Sequence, residues 1–123
     1  MTRQILIIAK ENSMRINLGQ HLRQEGFVIA EMDHADEAMA ILGVLPVQVV
    51  LLGLDSLKRD GLALMRNIRN RFADIKIILI NSGDQLELSI EGMRLGAYDD
   101  FIIPFDLDAL IASIRKALGR KPS

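Results

Sequence analysis

The sequence VQVVLL at residues 47–52 is the strongest strand signal in the chain, and the fold can be worked out from it. Its residues are almost all apolar and half of them are β-branched, which is typical of a strand that is buried on both faces of a sheet. Gly43 and Pro46 end the segment before it, and Asp60 with Gly61 open a helix-length amphipathic segment after it. This order predicts a buried strand that leads into a helix.

The same alternation of strand and helix recurs along the whole chain. Short apolar runs predict further strands at residues 5–9, 27–31, 75–80 and 101–103. Amphipathic segments predict helices from Ser13 to Gly26, from Asp36 to Leu42, from Asp60 onward, from the turn at residues 82–84 to Gly96, and from Asp106 onward. Because strands that are joined by helical crossovers must be parallel, we expect one α/β domain over residues 1–119 with five parallel strands and five helices. Residues 120–123 are predicted to be a tail or the start of a linker.

Composition excludes several classes of function. The chain has fifteen Lys and Arg residues and sixteen Asp and Glu residues, so its formal net charge is −1. A near-neutral chain lacks the long-range attraction that non-specific binding to nucleic acid or to a membrane surface requires. Cysteine is absent, which excludes disulfides and thiolate metal sites. The first apolar run is too short for a signal peptide or a membrane span, so we expect a cytoplasmic protein.

In an open parallel sheet, the functional site lies beyond the carboxyl ends of the strands. The residues that follow four of the predicted strands are therefore the first candidates. They are Ala9-Lys10-Glu11, Gly53-Leu54-Asp55, Asn81-Ser82 and Ile103-Pro104.

Five short motifs carry a resemblance to a known family. They are Ile5-Leu6-Ile7-Ile8, Val50-Leu51-Leu52, Asp60-Gly61, Gly96-Ala97 and Pro104-Phe105. In this order and at these separations, the chain from Ile5 to Leu118 resembles the receiver domain of bacterial two-component response regulators. The resemblance implies a flavodoxin-like (CheY-like), doubly wound sheet with strand order 2-1-3-4-5. It also implies a cis peptide bond before Pro104.

This sequence departs from the family at the positions that accept and stabilise a phosphoryl group. The acidic pair that holds Mg²⁺ in the family corresponds to Ala9 and Lys10, with only Glu11 nearby. The phosphorylated Asp corresponds to Gly53, which has no side chain to act as a nucleophile. Lys10 places a positive charge where the family binds a cation, and like charges repel.

The remaining positions of the family's phosphorylation switch are also replaced. Asn81 stands where the family has a Ser or Thr, and Ile103 stands where it has a Lys. The aromatic switch residue falls at Asp100, with Phe101 next to it. We therefore expect no enzymatic activity, no cofactor and no bound metal.

The resemblance, together with the replaced phosphorylation positions, predicts a receiver domain that works without phosphorylation. We expect it to act by protein–protein contact or by forming a homodimer. In the family, the fourth helix, fifth strand and fifth helix form the output face, which corresponds here to residues 84–117. An effector domain attached beyond Ser123 is compatible with this function, whereas direct nucleic-acid binding and membrane binding are not expected. The candidate face residues are Asp84, Leu88, Glu91, Arg94, Phe101, Pro104, Phe105 and Asp106.

Two other hypotheses remain open from the sequence. Asp55 could be a displaced nucleophile, with Glu11 and Asp60 helping to hold a metal. The preferred interpretation of Asp55 is instead an ion pair with Lys10, whose ammonium would replace the lost cation. Alternatively, Gly53 and Ala9 empty a volume at the rim that a small molecule fills, so that the domain is a sensor with polar groups from Asn81, Ser82 and Asp55.

Overall fold

The computed structural model describes residues 4–119, and strand and helix alternate throughout this range. The strands are β1 (Gln4–Ile8), β2 (Val28–Met32), β3 (Val47–Gly53), β4 (Lys76–Asn81) and β5 (Asp99–Ile102). The helices are α1 (Asn12–Gln24), α2 (Ala38–Leu42), α3 (Leu54–Arg71), α4 (Leu86–Arg94) and α5 (Leu107–Ala117). None of these helices is both long enough and apolar enough to cross a bilayer. The predicted tail at residues 120–123 lies outside the described residues.

The five strands form one parallel sheet with the order β2-β1-β3-β4-β5, which confirms the predicted fold. β1 is an inner strand and pairs with two neighbours, so that Ile7 lies opposite Glu31 on one side and Leu51 on the other. β2 and β5 are the edge strands. The order reverses between β1 and β3, and in such sheets this is where a site forms at the carboxyl edge.

The core has two layers, one on each face of the sheet. Successive side chains of a strand point to opposite faces. Ile5 and Ile7 therefore pack with α1 and α5, whereas Leu6 and Ile8 pack with α2, α3 and α4. All four are at most 1% exposed, and full burial of such a side chain contributes about 1.5–3 kcal/mol. Burial on both faces is the reason that these strands are continuous apolar runs.

Several predicted boundaries are wrong. α3 begins at Leu54 rather than at Asp60, because buried Leu54 and Leu57 form a first turn that a non-helical residue, Lys58, separates from the rest. The start of α4 at Leu86 agrees with the prediction, since it follows the predicted turn at residues 82–84. β5 begins at Asp99 rather than at Phe101, since its acidic residues have partners on the neighbouring helices.

Candidate functional site

The rim segments that were predicted to meet do lie side by side at the carboxyl edge of the sheet. Ile8 pairs with Leu52 at the ends of β1 and β3. Gly53 pairs with Ile80, and Asn81 pairs with Ile102. Ala9, Gly53 and Asn81 therefore follow or end three adjacent strands at the centre of this edge.

Gly53 and Ala9 are in direct contact. A Cβ atom placed on Gly53 would lie 2.9 Å from the Cβ of Ala9, which is completely buried. The φ angle of Gly53 is −83°, an ordinary extended value. Glycine is therefore required here because the ends of β1 and β3 approach each other closely, and not because of its backbone conformation. The prediction of an emptied volume at this point was wrong, because the two small residues have closed on each other.

Asp55 bonds to the backbone and not to Lys10. Its Oδ1 accepts a hydrogen bond from the amide of Ser82 at 3.1 Å. Among residues 4–119 no ion pair joins Asp55 to Lys10, so that prediction was wrong. Lys10 is exposed, and it lines a groove of about 410 Å³ together with His34 and Asp60. Its ammonium remains hydrated there, which avoids the cost of burying a charge.

The rim carboxylates do not fit a divalent cation. A hard cation such as Mg²⁺ needs several oxygen ligands that converge on one point. Within the described range, no three Asp, Glu or His side chains converge in this way, and so Glu11 and Asp60 do not join Asp55 in a ligand set. Ala9 offers no side-chain ligand at all. The donor set therefore disagrees with the metal that the family uses.

Asn81 closes the turn that follows β4. It is completely buried, and its Oδ1 accepts a hydrogen bond from the amide of Gly83 at 2.9 Å. Its Nδ2 has no hydrogen-bond partner in the described part of the chain. The carbonyl of Asn81 accepts a hydrogen bond from the amide of Ile103 at 2.7 Å. The Ile103–Pro104 peptide bond is cis, as the resemblance implied, and the Ile103 side chain packs on the α1/α5 side of the sheet.

Two adjacent carboxylates of β5 hold the helices on either side, which the sequence did not predict. Ser89 of α4 donates a hydrogen bond to Oδ2 of Asp100 at 2.7 Å. Ser113 of α5 donates to Oδ2 of Asp99 at 2.8 Å. Both serines are buried. The available signal was two consecutive acids in a strand, which require partners when they are even partly buried.

The residues of the predicted output face differ in their exposure, and their role as an interface stays a prediction. The placement of Leu88 on this face was wrong, because Leu88 is buried in the core together with Ser89 and Gly92 of the same helix. Of the other predicted positions, Asp84, Arg94, Pro104 and Asp106 are exposed, and Glu91, Phe101 and Phe105 are half-buried. Four apolar side chains that the sequence did not single out are exposed: Leu86 at 48%, Ile90 at 46%, Met93 at 38% and Ile102 at 45%. The first three follow a helical i, i+4, i+7 spacing, which was a signal available in the sequence.

The comparisons with known proteins agree with the fold. Residues 5–115 match the family model of the response regulator receiver domain. An NtrX-like response regulator of Rickettsia felis is 30% identical over 115 residues, which cover 92% of this chain and 24% of that protein. The C4-dicarboxylate transport transcriptional regulatory protein DctD of Pseudomonas aeruginosa is 32% identical over 120 residues, which cover 94% of this chain and 25% of that protein.

Solved structures resemble the chain over nearly its whole length. The receiver domain of NtrX from Brucella abortus superposes with a TM-score of 0.85 at 28% identity, covering 95% of this chain and 99% of that domain. The chain spans about a quarter of the length of the curated relatives named above. The family match and the strand order agree, and the chain belongs to the response regulator receiver domain family.

Proposed function

We propose that this chain is a phosphorylation-independent receiver domain that acts by protein–protein contact and not as an enzyme. The observation that carries the proposal is the contact between Gly53 and Ala9. The end of β3 holds no carboxylate, and the space in front of it is occupied by a buried methyl group. An acyl phosphate needs both a carboxylate nucleophile and a cation to neutralise the phosphoryl oxygens. The rim offers neither at this position.

The surface that supports a contact function lies on α4 and β5. Single exposed apolar residues are common, but a group of them on one face is typical of an interface. Leu86, Ile90 and Met93 lie along the exposed side of α4, and Ile102 is on the edge strand β5. The occupant that we propose is a second copy of this chain, because twofold contacts are the commonest in homo-oligomers. The relatives are longer regulators, so we also propose that an effector domain follows.

A titration with Mg²⁺ and then with a small acyl-phosphate donor tests phosphorylation independence. We expect the amide ¹H–¹⁵N NMR spectrum to stay unchanged at Glu11, Gly53, Asp55 and Asn81, and the intact mass to gain no phosphoryl group. Asp55→Asn is the matched control, since it removes the one rim carboxylate that could replace the missing nucleophile. A mass gain in the wild-type chain that is absent in the Asp55→Asn variant would sink the proposal and establish Asp55 as a displaced acceptor.

Sedimentation equilibrium tests the proposed contact surface. We expect the wild-type chain to dimerise, and Ile90→Glu to raise the dimer dissociation constant by about tenfold or more, because the interface would then bury an unpaired charge. Ile16→Glu is the matched control, since Ile16 is an equally exposed apolar residue (44%) on α1. A monomeric wild-type chain, or equal effects of the two substitutions, would contradict a dimer through this face.

A further inference from the structure

Two adjacent side chains at the start of α3 bond to two loops of the rim. Asp55 accepts a hydrogen bond from the amide of Ser82, in the loop between β4 and α4. Ser56 accepts one from the amide of Lys10 at 3.0 Å, in the loop between β1 and α1. Both residues belong to the first turn of α3, directly after β3. We call Asp55 and Ser56 the rim strap.

The strap leads directly to α4. Ser82 is four residues before Leu86, where α4 begins. Between them, the amide of Gly83 bonds to the side chain of buried Asn81, and Gly83 itself has a φ of +95°. The start of α4 is therefore held through a short, hydrogen-bonded turn whose Ser82 amide is held by Asp55. Farther along the same helix, Ser89 is bonded to Asp100.

The turn that carries the strap is held in a strained conformation. Lys58 has a φ of +52° and a ψ of −129°, a region that L-residues other than glycine rarely adopt. Such a conformation persists only where the surrounding contacts outweigh its cost. The contacts here are the buried side chains of Leu54 and Leu57 and the two hydrogen bonds of the strap. These contacts hold the strap turn in the geometry described.

We propose that the rim strap is a permanent internal link that positions α4, so that the apolar side chains of α4 are presented without any ligand at the rim. Asp55 acts as a positioning residue, because its carboxylate accepts the hydrogen bond that the Ser82 amide donates. The link itself follows from contacts in this chain, and only the use of the presented face rests on the proposed function.

Amide hydrogen exchange on the full chain, followed by NMR, tests the link. We expect Asp55→Ala to speed exchange at Ser82 and in the first turn of α4 by about tenfold or more, as expected when a hydrogen bond to a charged acceptor is lost. Asp55→Asn keeps an acceptor oxygen but loses its charge, and is expected to speed exchange less than Asp55→Ala does. Ser56→Ala is expected to speed exchange at Lys10 without affecting α4.

Ser113→Ala is the matched control for general loss of stability, because Ser113 holds α5 to β5 on the opposite face of the sheet. Unchanged exchange at α4 in Asp55→Ala would overturn the link. So would faster exchange that is spread over the whole sheet to the same extent as in Ser113→Ala. The measurement needs no phosphoryl donor and no dimer. Phosphorylation of Asp55 in the titration would therefore contradict the proposed function. The amide-exchange result would still test the link independently.

Discussion

We expect Gly53→Ala to lower the free energy of unfolding by about 1–3 kcal/mol, the usual cost of adding a methyl group to a close-packed core. The new Cβ would lie 2.9 Å from the Cβ of Ala9, and both atoms are attached to backbone at the end of central strands. Neither can move as the tip of a flexible side chain would. Gly→Ala at an extended φ of −83° would otherwise be neutral or stabilising, because it restricts the unfolded chain. A lower free energy of unfolding in Gly53→Ala would therefore show that the new methyl group clashes with Ala9.

Urea denaturation of four chains separates this contact from other effects of alanine. The double variant Ala9→Gly/Gly53→Ala removes one of the two clashing carbons and is expected to recover much of the loss. Gly43→Ala is the matched control, since its nearest neighbouring atom would be 3.5 Å from the new Cβ, an ordinary contact. If Gly53→Ala proves as stable as the wild type, or if the double variant recovers nothing, then the two strands do not approach as closely as described.

The same contact bears on the family comparison. A carboxylate at position 53 would need the space that Ala9 occupies, and it would carry a charge toward a buried methyl group. We therefore expect that restoring one acidic residue at position 53 would not restore a phosphorylation site. The residues at positions 9 and 53 fit each other as a pair, and this favours an interaction module over a receiver that has lost its acceptor by a single change.

The inner strands β1, β3 and β4 were predictable because they are buried on both faces, which makes residues such as Ile5–Ile8 a continuous apolar run. The order of the strands came from the resemblance to a family and not from the runs themselves. β5 was placed two residues too late because Asp99 and Asp100 do not look like strand residues. Their serine partners come from helices that are ten or more positions away in the chain.

The candidate site was harder to predict because it depends on distances that side-chain types do not reveal. Ala9 and Gly53 suggest empty space, but two small residues also allow two strands to approach each other closely. Lys10 and Asp55 suggest an ion pair, but a backbone amide of Ser82 competes for the carboxylate. Leu88 was assigned to the surface because the orientation of a nine-residue helix depends on where the helix begins. In each case the chemical character of the residue was clear from the sequence, but the groups that it contacts in the fold were not.

The second large effect is expected at the hydrogen bond between Ser89 and Asp100. Asp100→Ala should lower the free energy of unfolding by about 1–3 kcal/mol, because it leaves a buried hydroxyl without its acceptor. Ser89 is completely buried, so water does not replace the lost partner. The double variant Ser89→Ala/Asp100→Ala is expected to lie closer to wild type than Asp100→Ala does, since neither polar group is then left unpaired.

Asp74→Ala serves as the control for this cycle, because Asp74 is an exposed acid in the loop before β4. Urea denaturation gives the stabilities, and amide exchange shows where the structure loosens. We expect Asp100→Ala to loosen α4 while α5, which Ser113 still holds to Asp99, keeps its protection. A double variant that is no more stable than Asp100→Ala would show that the loss comes from the carboxylate's other surroundings. Equal loosening of both helices would show that β5 itself, and not the serine bond, holds α4 in place.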